Sequence, residues 1–77
     1  MDELEILEVL GEMEIGQMRE HRFSAGILNS SREYFKNAED VFEVNRINGA
    51  WDVAYLNTEQ MAKYLLGELS EQEMKWE

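Results

Sequence analysis

The chain has no cysteine and no proline, a single histidine, and only seven Lys and Arg against seventeen Asp and Glu. Without cysteine there is no disulfide staple and no thiolate metal site. Without a second histidine no His pair can clamp a metal, and a Ser-His-Asp triad would rest entirely on His21, which stands between Glu20 and Arg22 with no partnered nucleophile in view. The shortage of bases leaves a net charge of −10, which repels nucleic acid and anionic membrane and attracts only a basic surface. Arg19, Arg22, Arg32, Lys36 and Arg46 are interrupted by Glu20, Glu33, Glu39, Asp40 and Glu43, so no basic stripe for DNA or RNA forms along the sequence. No apolar run approaches the roughly 18 residues of a membrane span, and no secretory leader is present, so the expected setting is soluble and cytoplasmic.

Motifs for chemistry are equally scarce. Gly11 and Gly16 have the spacing of a phosphate loop, but Gln17-Met18 follows where Lys and Ser or Thr would hold phosphate and magnesium. No Asp-x-Asp-x-Asp-Gly loop exists for calcium. Asn29-Ser30-Ser31 matches a glycosylation acceptor formally, and Ser30 as a helix cap accounts for the same residues. Seventeen acids put many carboxylates near one another by chance, so no pair marks a general acid and base. The chain is therefore expected to be no enzyme and to need no cofactor or metal.

What is present is pattern. A chain of 77 residues buries only about 60% of its unfolded surface, so it forms one marginal domain, spanning residues 1–77. Ile6, Val9, Leu10 and Met13 share one side of a 3.6-residue period and Glu5, Glu8 and Glu12 the other, which predicts a helix over about 3–14 with Asp2 and Glu3 at its positive end. Residues 24–29 read as a connection held down by Ile27 and Leu28, with a third strand hidden in 23–29 as the alternative. Ser30 with Glu33 matches a capping box and predicts a short second helix over about 31–39, with Phe35, Ala38 and Phe42 inward. Asn48-Gly49 predicts a two-residue hairpin turn that sets Arg46 opposite Trp51, Val44 opposite Val53 and Phe42 opposite Tyr55. Asn57 or Thr58 caps a last helix, with Gln60 completing a box from Asn57, and its period places Met61, Ala62, Leu65, Leu69 and Trp76 on one face.

The expected fold is a small α+β domain in the order helix, helix, β hairpin, helix, with the helices on one face of a small antiparallel sheet. Its expected core is Ile6, Leu10, Met13, Phe35, Phe42, Val44, Trp51, Val53, Tyr55, Leu65 and Leu69, and residues after about 70 are expected to fray. Six acids, from Asp2 to Glu14, precede the first base, Arg19. That segregation points to a non-enzymatic acidic module, an inhibitor or adaptor, that docks on a basic protein such as a nucleic-acid-binding enzyme and presents a row of charge in place of phosphates. By analogy, a compact acidic antagonist suits a phage or mobile-element origin. The expected contact residues are Glu5, Glu8 and Glu12, with Glu68, Glu71, Glu73, Met74 and Trp76 of the last helix and its tail. The alternative is a self-assembling subunit, a homodimer for example, whose apolar faces are completed by another copy.

Overall fold

Glu3–Glu12 form the first helix, α1, and both of its ends are satisfied by named side chains. At its start the Asp2 carboxylate accepts the Glu5 N–H at 2.9 Å, an N-cap bond beyond the dipole placement expected of this acid. At its end the Lys36 ammonium donates to the Leu10 carbonyl at 3.1 Å and the Gly11 carbonyl at 3.4 Å. Lys36 lies 26 residues away and is 2% exposed, a buried cation placed at the negative end of a helix dipole. The computed structural model describes residues 2–25, 27–45 and 52–77, and the side chains of Ala25 and Leu28 are outside that description.

Four strands follow: β1 (Met18–Ala25), β2 (Leu28–Ala38), β3 (Val41–Asn45) and β4 (Val53–Leu56). They form one antiparallel sheet in the order β1-β2-β3-β4. Helix α2, Thr58–Leu65, packs beside α1, and a 3₁₀ turn at Glu71–Glu73 precedes the C-terminal tail. The α+β class holds, with two helices and four strands among the described residues.

The expected second helix does not form, because residues 31–38 belong to β2. Tyr34 and Lys36 are buried, Glu33 and Asn37 are exposed, and Phe35 lies between them on the outer side. That is a period of two, and pairing with β1 on one side and β3 on the other overrides a single capping signal. Ser30, the supposed cap, sits opposite Phe23 in the ladder. No single third strand occupies residues 23–29: residues 23–25 end β1 and residues 28–29 begin β2, so the segment joins two longer strands, and Ile27 is fully exposed instead of packed down.

The chain enters β1 through a glycine. The Gln17 N–H donates to the Glu14 carbonyl at 2.9 Å, the Gly16 N–H to the Lys36 carbonyl at 2.7 Å, and the Lys36 N–H to the Gln17 carbonyl at 3.2 Å. Two residues thus oppose Lys36, with Gly16 at φ +93°, which is the glycine form of a β-bulge. Gly11 lies inside α1, so the two glycines belong to a helix and a bulge and make no phosphate loop.

In the β3–β4 pair Phe42 lies opposite Leu56 and Val44 opposite Ala54, one residue away from the expected register. The slip turns β4 over: Ala54 and Leu56 are buried, Tyr55 is 48% exposed, and Val53 is half-buried. Leu56 must point inward because Asn57, the next residue, already starts α2 over that face. The Asn48-Gly49 turn and the Arg46–Trp51 pair lie outside the described residues.

Helix α2 begins as predicted, with the Asn57 carboxamide accepting the Gln60 N–H at 2.8 Å and the Gln60 carboxamide accepting the Asn57 N–H at 2.9 Å. It ends at Leu65 and does not run to Trp76. The Gly67 N–H donates to the Tyr64 carbonyl and the Glu68 N–H to the Lys63 carbonyl, with Gly67 at φ +80°, a left-handed stop that glycine adopts without strain. Beyond it the tail returns to the sheet: Trp76 bridges Ala54, Val53 and Glu77 exchange both backbone hydrogen bonds, and Met74 is 7% exposed. The expected fraying after residue 70 is replaced by a tail bonded to the edge of β4.

The core therefore lies on one face of the sheet. Ile6, Leu10, Met13, Phe42 and Val44 sit in it as expected, joined by Tyr34, Ala54, Leu56, Met61 and Met74. Leu65 and Leu69 pack at its margin. Phe35, Val53 and Tyr55 occupy the opposite, open face. Among the described residues no helix is long and apolar enough to cross a membrane.

Candidate interaction surfaces

The exposed side of α1 carries Glu5, Glu8 and Glu12, opposite the buried Ile6 and Leu10. None of the three makes an ion pair among the described residues. Some acids elsewhere are in use: Asp2 caps α1, Glu20 pairs with Arg22, Glu59 with Lys63 and Glu71 with Arg32. Asp40 accepts the Thr58 N–H at 2.7 Å, and that bond, aided by one from the Thr58 side chain, holds its carboxyl below the usual carboxylate range. Asp40 takes φ 59° to do so, a left-handed conformation that Asp tolerates better than most residues.

The second group of expected contact residues is divided between surface and joint. Glu68 is an exposed acid. Glu71 is gripped by Arg32 through two parallel bonds, Nε to Oε1 at 2.6 Å and Nη2 to Oε2 at 2.8 Å, while its carbonyl accepts the Trp76 indole N–H at 2.8 Å. Glu73 bonds back to Ser70 at 2.9 Å. Met74 is buried and Trp76 is half-buried, so these two expected contact residues pack against the domain itself. Residues 68–76 share no helix, because Gly67 ends α2 before them.

Around Glu71 lies a cluster that the sequence did not announce. The Arg32 guanidinium stands 5.3 Å from the centre of the Phe23 ring, His21 stacks on Phe23 at 5.7 Å, and His21 meets Tyr64 edge-on at 5.2 Å. His21 is thus half-buried between rings. Burial lowers its pKa, and the Glu71 carboxylate opposes the shift. Burial first, and Glu71 second, push the Tyr64 phenol up to about 12, against the pull of Arg32. The Tyr64 hydroxyl is enclosed without a hydrogen-bond partner among the described residues. Arg32, already forked onto Glu71, has its bidentate edge occupied and serves the fold. Among the described residues no group of three or more His, Asp or Glu is placed to hold a metal.

Of the five bases that the sequence interrupts with acids, Arg32 is paired, Lys36 is buried, and Arg46 is outside the described residues. Arg19 and Arg22 remain, both exposed on β1. β1 is an outer strand of the sheet. A cleft of about 450 Å³ runs beside it, lined by Ile6, Val9, Arg19, His21, Leu65 and Leu66 among others. The period-two signal of β1 was obscured because charges occupy both of its faces, as they do on many edge strands.

No family model matches the chain, and neither a curated protein nor a solved structure matches it.

Proposed function

We propose that the chain is a small non-enzymatic acidic binding module, an inhibitor or adaptor, that docks on a basic protein surface through Glu5, Glu8 and Glu12 of α1. The observation that carries this reading is the row itself: the fold uses Asp2, Asp40, Glu71 and Glu73 for caps and joints, while Glu5, Glu8 and Glu12 share one face of α1 and face solvent with no ion pair among the described residues. Three carboxylates across seven residues of helix place one charge per roughly 5 Å of axis, against one per roughly 3.4 Å along a DNA strand. A partner built to grip phosphates, such as a nucleic-acid-binding enzyme, is the kind of surface that fits such a row.

The test is a comparison of the parent with a variant in which Glu5, Glu8 and Glu12 are all Gln. Folding is expected to survive, since the three side chains lie away from the core. Captured from a lysate, the parent should retain basic nucleic-acid-binding proteins that elute as salt rises, and the variant should bind them with slower association and a flatter salt dependence. Equal association rates for the two proteins would return the acidic face to a role in solubility alone.

A further inference from the structure

We propose that β1 pairs with β1 of a second copy in one antiparallel register, joining two four-stranded sheets into a single sheet across a two-fold axis at His21. The backbone groups of β1 point in two directions. The Lys36 N–H reaches the Gln17 carbonyl, so in the β1–β2 ladder the residues at every second position from Gln17, namely Arg19, His21 and Phe23, turn their N–H and C=O groups toward β2. The alternating residues Met18, Glu20, Arg22 and Ser24 turn theirs outward. That row of groups is open to another strand.

Charge then selects both the occupant and the register. A two-fold axis placed at Glu20 would set Glu20 against itself, and one at Arg22 would set Arg22 against itself. With the axis at His21, Glu20 lies opposite Arg22 of the second copy, and the symmetry repeats the pair. Met18 then meets Ser24, and the outward groups of all four residues are used. The segment is complementary to itself in this register alone among the three, a property that an isologous contact requires and that a chance edge lacks.

The neighbours favour the same arrangement. Within one copy Glu20 faces Glu33 across the ladder, an unfavourable like-charge pair, and draws Arg22 of its own strand to 2.9 Å. A second Arg22 completes a square of alternating charge around two carboxylates that one chain leaves under-compensated. On the helix side Arg19 comes opposite Phe23 of the second copy, an arrangement of cation and ring that the Arg32–Phe23 contact already uses at 5.3 Å. The cleft beside β1, with Ile6, Val9, Leu65 and Leu66 on its walls, receives side chains from the added strand. The axis runs normal to the sheet, so both α1 helices lie on one side of the pair. This pairing stands without the acidic-face reading, since none of Glu5, Glu8 or Glu12 takes part in it.

The experiment is sedimentation of the parent chain and three variants, Glu20→Arg, Arg22→Glu and the double exchange, with circular dichroism to confirm that each is folded. The parent should reach twice its 9.1 kDa at sub-millimolar concentration. Each single reversal sets like charges opposite one another twice over and should raise the dimer Kd about tenfold or more. The double exchange restores opposite charges in this register and should return the Kd to near that of the parent. A parent that stays monomeric, single variants that dimerise as tightly as the parent, or a double exchange as weak as the singles would each overturn the proposal.

Discussion

The two edges of the sheet are closed in different ways. Along β4 the chain's own tail supplies the missing partner, with Val53 and Glu77 exchanging hydrogen bonds at 3.1 and 2.8 Å and the Trp76 backbone bridging Ala54. Along β1 no segment among the described residues does this, and the strand carries Arg19, Glu20 and Arg22 instead. A covered edge is shut to every strand, whereas a charged edge is shut only to strands that fail to match its charges. The difference separates a structural edge from a selective one.

The strongest way to break the comparison is to detach the cover of β4. Met74 anchors the tail in the core at 7% exposure, so Met74→Ala should cost about 2–4 kcal/mol and expose the β4 edge, which thermal denaturation and a rise in aggregation would record. Proline then reads the two edges directly. Val53→Pro removes an N–H that donates to Glu77 and should cost about 1–3 kcal/mol, while Ser24→Pro removes an outward N–H and should change monomer stability by no more than about 0.5 kcal/mol. If the two prolines prove equally damaging in urea melts of the monomer, the edges are not different in kind.

A smaller effect comes from pH. Burial lowers the His21 pKa, so the unfolded chain binds the proton more readily; the stability held above the ordinary value of 6.5 should be lost as pH falls through 6.5 toward the lowered folded value. Tyr64 acts at the other end: its phenol is raised from 10.0 to about 12, so stability should fall as pH climbs from 10.0 toward 12. Melting temperature followed across pH should show both slopes, with His21→Phe flattening the acidic one and leaving the alkaline one.

Several features were legible in advance because their causes are local. The acidic start of α1, its amphipathic stripe and the Asn57–Gln60 box each involve groups within about one or two helical turns, where geometry follows from chain position. The acidic face was legible for the same reason, as a helical period read against charge. Gly67 was legible in principle as a helix stop, yet the apolar period of Leu65, Leu69 and Trp76 ran past it and suggested a longer helix. The cluster of His21, Phe23, Arg32, Tyr64 and Glu71 left no sequence signal, because its members come from β1, β2, α2 and the tail turn.

By itself the sequence determined the α+β class, the starts of both helices, the net charge and the absence of any stripe of bases. The tertiary structure decided everything that depends on a distant partner. Residues 31–38 became strand because β1 and β3 offered hydrogen bonds on both sides, and the β4 register followed from the need to aim Leu56 beneath α2. Lys36 reads as a surface base in sequence, yet it is buried because a helix 25 residues earlier ends in carbonyls that require a donor. A hydrogen bond between groups so far apart in the chain exists only after the chain has folded, so the sequence around either group carries no trace of it.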